Sequence, residues 1–153
     1  MGVKLEHRIG IQAPAEVIWE SLIDINGWSA WNPLYTKSAG KVRIGNILDL
    51  ELALPGQAPR PIRPRILDWA PEDHIHWTTR SLNGWVKTVR YLEIEALTET
   101  GCIFSNGEIY DGWLGPSVAK RNRRAIRAGF TALGEALQAR AEAAWKARQG
   151  LTT

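Results

Sequence analysis

The last quarter of the chain constrains the fold most. From Pro116 to about Arg148, apolar or small residues recur at Val118, Ile126, Phe130, Leu133, Leu137, Ala141, Ala144 and Trp145. The gaps are mostly threes, fours or their sums, which puts these residues on one face of a long α-helix. Gly115-Pro116-Ser117 supplies a start signal, because proline suits the first turn and Ser117 can cap. Gly150 supplies a stop. About 30 residues at 1.5 Å each make a rod of roughly 45 Å. A rod with one apolar stripe needs a broad surface to lie on, and the rest of the chain predicts a sheet.

The length suits one domain, read as residues 1–150 with 151–153 as a tail. No apolar run reaches the roughly 18 residues of a membrane span. The start, Met1-Gly2-Val3-Lys4-Leu5-Glu6, has no apolar signal-peptide core, so a cytoplasmic protein is expected. One cysteine, Cys102, excludes an internal disulfide framework. A formal charge of +3 does not by itself imply nucleic acid. Eight tryptophans in 153 residues predict either a bulky core or a lined cavity.

Lys4 to Gln12 reads as a first strand, followed by a helix that opens at Ala13-Pro14-Ala15-Glu16 and ends at Asn26-Gly27. Gly27 to Pro33 is one helical turn that aims Trp28 and Trp31 the same way. Strand patterns then follow at 37–44, 48–54, 62–69, 74–80, 85–97 and 102–110. Prolines 59, 61 and 64 weaken the 62–69 strand and suggest an edge or bulged position. Asn83-Gly84 is a hairpin signal.

This order resembles the START-like superfamily, also called the SRPBCC or helix-grip group, in its bacterial polyketide cyclase/dehydrase branch. The resemblance rests on Ala13-Pro14-Ala15-Glu16-Val17-Ile18-Trp19, Trp28-Ser29-Ala30-Trp31-Asn32-Pro33, Gly107-Glu108-Ile109-Tyr110-Asp111-Gly112, and the helix from Gly129-Phe130 through Leu133, Leu137 and Glu142. It implies an α+β helix-grip fold. A curved antiparallel sheet of about seven strands would wrap the C-terminal helix, with two short helices after the first strand. It also implies an apolar cavity between sheet and helix, with Trp31 and Tyr35 at its mouth. Trp28 is expected to plug one end of the core.

Period-two alternation puts Phe104, Asn106, Glu108 and Tyr110 on one face of the last strand, and Arg90 and Leu92 on a face of its neighbour. If 96 pairs with 102, Arg90 falls opposite Glu108 and Leu92 opposite Asn106. That pairing makes either a pocket wall with a few polar groups or an exposed cross-strand ion pair. Trp77, on the buried side of its strand, and Phe130 and Leu133, on the helix stripe, complete the expected lining. Gly129 and Gly134 each cost about 1 kcal/mol in a helix interior; close sheet contact or room for a ligand are two possible compensations.

The preferred reading is non-catalytic binding of a hydrophobic or amphipathic small molecule, lipid-like or polyketide-like. One alternative is a cyclase or dehydratase using Glu108 as general acid or base. Another is an interaction protein that docks a partner or a membrane surface through the basic run Lys120, Arg121, Arg123, Arg124 and Arg127. The bland reading of that run is a solvated helix face. It lacks the aromatic interleaving of a single-strand platform, so nucleic acid is not expected. No cofactor and no metal site are expected, because His74 and His76 share a strand face that points to water and no metal-ligand spacing supports them. The ligand and the oligomeric state stay open.

Overall fold

The computed structural model describes residues 2–152. Strand β1 (Val3–Ile11) is followed by helix α1 (Ala15–Ile23) and a 3-10 turn (Ile25–Ala30). Next come β2 (Tyr35–Ala39), β3 (Asp49–Leu52), β4 (Arg60–Ile62), β5 (Arg65–Ala70) and β6 (His74–Ser81). The chain closes with β7 (Val86–Thr98), β8 (Gly101–Asp111), α2 (Gly115–Arg121) and α3 (Arg123–Thr152). This is the α+β helix-grip architecture; the described residues form eight strands in two sheets, where one sheet of about seven is expected. A five-stranded sheet runs β1-β8-β7-β6-β5 and a three-stranded sheet runs β2-β3-β4. They meet where Ile47 bridges Arg65 and the Leu48 amide donates to the Pro64 carbonyl at 2.9 Å.

Several local expectations change. The strand expected over 62–69 is split into β4 and β5, because Pro64 has no N–H to carry a ladder through the bend. The 37–44 strand ends at Ala39, where Gly40 takes a φ of 133°. Helix α1 stops at Ile23, before Asn26-Gly27. The long helix is broken at Asn122, whose φ and ψ of −106° and 11° are not helical. There the Asn122 side-chain amide donates back to the Val118 carbonyl at 2.9 Å, competing with the backbone ladder. Ser117 does not cap; Leu114 occupies the cap position without a side-chain bond. Helix α3 continues through Gly150 to Thr152, since Gly150 keeps a negative φ. Thr153, the end of the expected tail, lies outside the described residues.

The stripe buries as its spacing predicts: Ile126, Phe130, Leu133, Leu137 and Ala141 are all inside. Its glycines are explained by close approach. A Cβ on Gly134 would lie 2.9 Å from His7 Nδ1 on β1, and one on Gly129 would lie 2.8 Å from Leu34 Cδ1. The tryptophans divide: Trp28 and Trp77 are fully buried, whereas Trp85 and Trp113 are exposed. No described helix is long and apolar enough to cross a membrane.

Candidate functional site

The hairpin β7–β8 sets the site. Ala96 pairs with Cys102, so Arg90 stands opposite Glu108 and Leu92 opposite Asn106. Their shared face looks toward the helices. Over the half of that face nearest α2, sheet and helix do not close on each other. The space between them is a cavity of about 580 Å³.

The sheet wall of this cavity carries Trp77 and Thr79 of β6, Val86 and Thr88 of β7, and Glu108 and Tyr110 of β8. Val118, Asn122, Ile126 and Phe130 form the helical wall, and Tyr35, Leu52 and Leu54 close a third side. Arg60, Arg63 and Arg80 stand exposed at the rim.

Of the expected lining residues, the structure brings Tyr35, Trp77, Glu108, Tyr110 and Phe130 onto the cavity. Arg90 and Asn106 lie one layer behind it, fully buried. Leu92, Phe104 and Leu133 are core residues of the closed half. Trp31 lies elsewhere, in a groove between α1 and α3, with the Arg140 guanidinium 5.8 Å from its ring centroid. The 3-10 turn puts Trp28 inward and leaves Trp31 half-buried. Trp28 plugs the core, its indole N–H shared between the Ser21 and Leu22 carbonyls. It also packs Tyr35 and Trp77 at centroid distances of 5.5 and 6.0 Å, which fixes both rings at the cavity edge.

Arg90 stands opposite Glu108, but its side chain takes other partners. Its Nε donates to Tyr35 Oη at 3.0 Å. Nη1 donates to the carbonyls of Tyr91 (3.2 Å) and Gly107 (3.0 Å), and Nη2 to Asn106 Oδ1 (3.0 Å). Phe130 covers the guanidinium, 4.2 Å from ring centroid to Cζ. All these partners are neutral, so a buried positive charge sits directly behind the cavity wall. Asn106 in turn donates to the Phe130 carbonyl at 3.2 Å, tying β8 to α3.

Glu108 is half-buried and accepts from the Tyr110 hydroxyl at 2.6 Å. Burial raises the Tyr110 phenol far above its ordinary pKa, and the Glu108 charge adds to this. Burial also raises Tyr35, with Arg90 pulling partly the other way. Both phenols therefore stay protonated at physiological pH and act as hydrogen-bond donors, not bases. Tyr35 accepts from Arg90 through its oxygen, leaving its own proton to give. Glu108 supplies an acceptor beside these donors.

Sequence reasoning missed Val86 and Thr88, although both share the period-two face of Arg90. It also missed Leu52 and Leu54, whose alternation was visible but whose facing was not. Nothing in the sequence marks Arg60 or Arg63 as rim residues. The basic run Lys120, Arg121, Arg123, Arg124 and Arg127 is exposed and lies outside the cavity lining.

Residues 2–142 match the family described as polyketide cyclase/dehydrase and lipid transport. Among curated proteins, no sequence matches. Among solved structures, the fold is similar to the Zhui aromatase/cyclase from Streptomyces sp. R1128, at TM-score 0.74 and 19% identity over 93% of this chain and 94% of that one. It is also similar to a START superfamily protein from Mycobacterium smegmatis, at TM-score 0.69 and 19% identity over 91% and 97%. Norcoclaurine synthase from Thalictrum flavum gives TM-score 0.68 and 17% identity over 90% and 85%.

Proposed function

Because this chain belongs to the polyketide cyclase/dehydrase and lipid transport family, we propose that its cavity binds a hydrophobic or amphipathic small molecule, lipid-like or polyketide-like. The observation that carries this reading is the distribution of groups around the 580 Å³ space. Leu52, Leu54, Ile126 and Phe130 offer apolar surface to the body of a ligand. Glu108 and Tyr110 on the sheet wall and Tyr35 on the third side offer the polar groups that orient its polar end. Few polar groups placed in an apolar hollow are the usual make-up of a small-molecule site. Burying about 200 Å² of apolar ligand surface contributes about 5 kcal/mol as an upper guide, before the cost of association.

A native mass spectrum of the purified protein tests this. The expected result is a retained small mass that leaves on denaturation and is absent from a Val86→Trp variant. A spectrum of bare chain, together with no uptake of added fatty acid or aromatic polyketide, overturns the reading.

One observation favours catalysis as a second reading: the Glu108 carboxylate reaches the cavity beside a protonated phenol. In that role Glu108 takes a proton from a bound polyketide-like chain, and Tyr35 donates to the oxygen that gains charge. Turnover of such a chain, abolished by Glu108→Gln with binding retained, supports the cyclase. Binding without turnover leaves the carrier.

A further inference from the structure

The opposite face of the large sheet holds a second cluster. Strands β5 and β6 pair with Asp68 opposite His76 and Ala70 opposite His74. Alternation along β6 buries Ile75 and Trp77 and turns His74 and His76 to the outer face. The two imidazoles lie side by side at a tilt of 32°, centroids 4.4 Å apart, and Asp68 Oδ2 lies 2.9 Å from His74 Nε2. One ligand-type atom from each of Asp68, His74 and His76 falls within 4.8 Å of the other two.

Donors bound at about 2.0–2.2 Å to one tetrahedral or octahedral ion stand roughly 3–3.5 Å apart. The Asp68–His74 pair is already near that spacing, and a side-chain rotation brings in the third donor. Both rings are also held from outside the group. Asp73 Oδ2 is 2.5 Å from His74 Nδ1, and Glu93 Oε2 is 2.8 Å from His76 Nε2. A carboxylate on one ring nitrogen is the arrangement that fixes the tautomer and aim of a metal-ligating histidine. Three carboxylates, Asp68, Asp73 and Glu93, surround the two rings, a surplus of negative charge that favours a divalent cation among them. Asp68 is exposed and the histidines are half-buried, so an ion reaches the group from solvent.

We propose that Asp68, His74 and His76 form a binding site for a borderline divalent cation of the zinc, cobalt and nickel class. Imidazole nitrogens favour these ions over magnesium or calcium. Water fills the remaining coordination positions. The site ties β5, at the edge of its sheet, to β6, so the ion acts as a staple between them and stabilises the fold by linkage. It is independent of any ligand in the cavity.

The test uses tag-free, chelator-treated protein titrated with zinc chloride alone, read by calorimetry and thermal melting. One saturable ion per chain and a higher Tm are expected. The His74→Gln/His76→Gln variant loses at least tenfold in affinity. Asp73→Asn, which removes no ligand, weakens zinc by about 10–100-fold. His7→Gln binds as the parent does. In the unmodified protein, zinc shifts the imidazole resonances of His74 and His76. The proposal is overturned by no saturable binding up to millimolar zinc, by binding that survives the double substitution, or by imidazole resonances that do not move.

Discussion

Two halves of one interface behave differently. From Leu133 to Ala141, the helix stripe packs against Leu5, Phe104 and neighbouring core residues. From Val118 to Phe130, the same helical surface looks across a 580 Å³ gap to β6, β7 and β8. Apolar periodicity is continuous through both halves, so hydrophobicity alone does not decide which half closes. The boundary is polar. Arg90 and Asn106 stand there, and Asn106 holds the Phe130 carbonyl, fixing the height at which the helix crosses the sheet. The break at Asn122 lies over the open half. There Gln57 donates to Asn122 Oδ1 at 3.0 Å across the cavity edge. A buried hydrogen-bonded layer therefore works as a spacer that the apolar stripe cannot collapse past.

The largest expected effect comes from removing the spacer. Arg90→Met strips the partners from Tyr35 and Asn106 and from two carbonyls, and is expected to cost about 3–5 kcal/mol. Denaturant unfolding reads this, and a cost under about 1 kcal/mol breaks the boundary argument. Next is the contrast within the stripe. Leu137→Ala in the closed half is expected to cost about 3 kcal/mol. Ile126→Ala, beside a space that already exists, is expected to cost about half as much. Equal losses in the same unfolding assay mean that the two halves do not differ.

The smallest effect is a control on the far side of the sheet. Burial raises the pKa of Glu6, but the hydrogen bond from Tyr91 and the charge of Lys4 outweigh it and hold the carboxyl below its usual value. A lower pKa in the folded state stabilises above the unfolded value and is lost as pH falls through the folded one. Tyr91→Phe is therefore expected to cost under about 1 kcal/mol at pH 7, given solvent screening, and to cost less as pH falls through the lowered Glu6 pKa. It should leave ligand affinity in the cavity unchanged.

Much of this fold was legible because it is local or periodic. The helix stripe and the Asn83-Gly84 hairpin follow from residue spacing alone; the Arg90–Glu108 register needed the assumption that 96 pairs with 102, which the structure bears out. The partners of Arg90 were not legible. The assumed 96–102 pairing put Arg90 beside Glu108, yet its side chain turns to Tyr35, 55 residues away in sequence, and only the closed fold brings the two together. The break at Asn122 was hidden because one residue leaving the helix does not disturb a stripe built on threes and fours. Trp31 was misplaced because the 3-10 turn ends at Ala30 and Trp31 takes a non-helical φ and ψ of −140° and −21°, so the alignment of residues three apart in such a turn does not reach it. The meeting of Asp68 with His74 and His76 depends on a bulge between Ile66 and Asp68; the prolines of that stretch suggested an edge or bulged strand, but not which residues the bulge would bring together.

The central claim is that the open half is a ligand chamber, not a packing defect. The most direct measurement is a titration with the anionic naphthalene dye ANS, comparing the parent chain with Val86→Trp, whose added ring fills the gap from the sheet side. The account predicts one saturable dye site per chain in the parent and at least tenfold weaker binding in the variant, with Tm unchanged or higher. Equal dye binding by both folded proteins would contradict it.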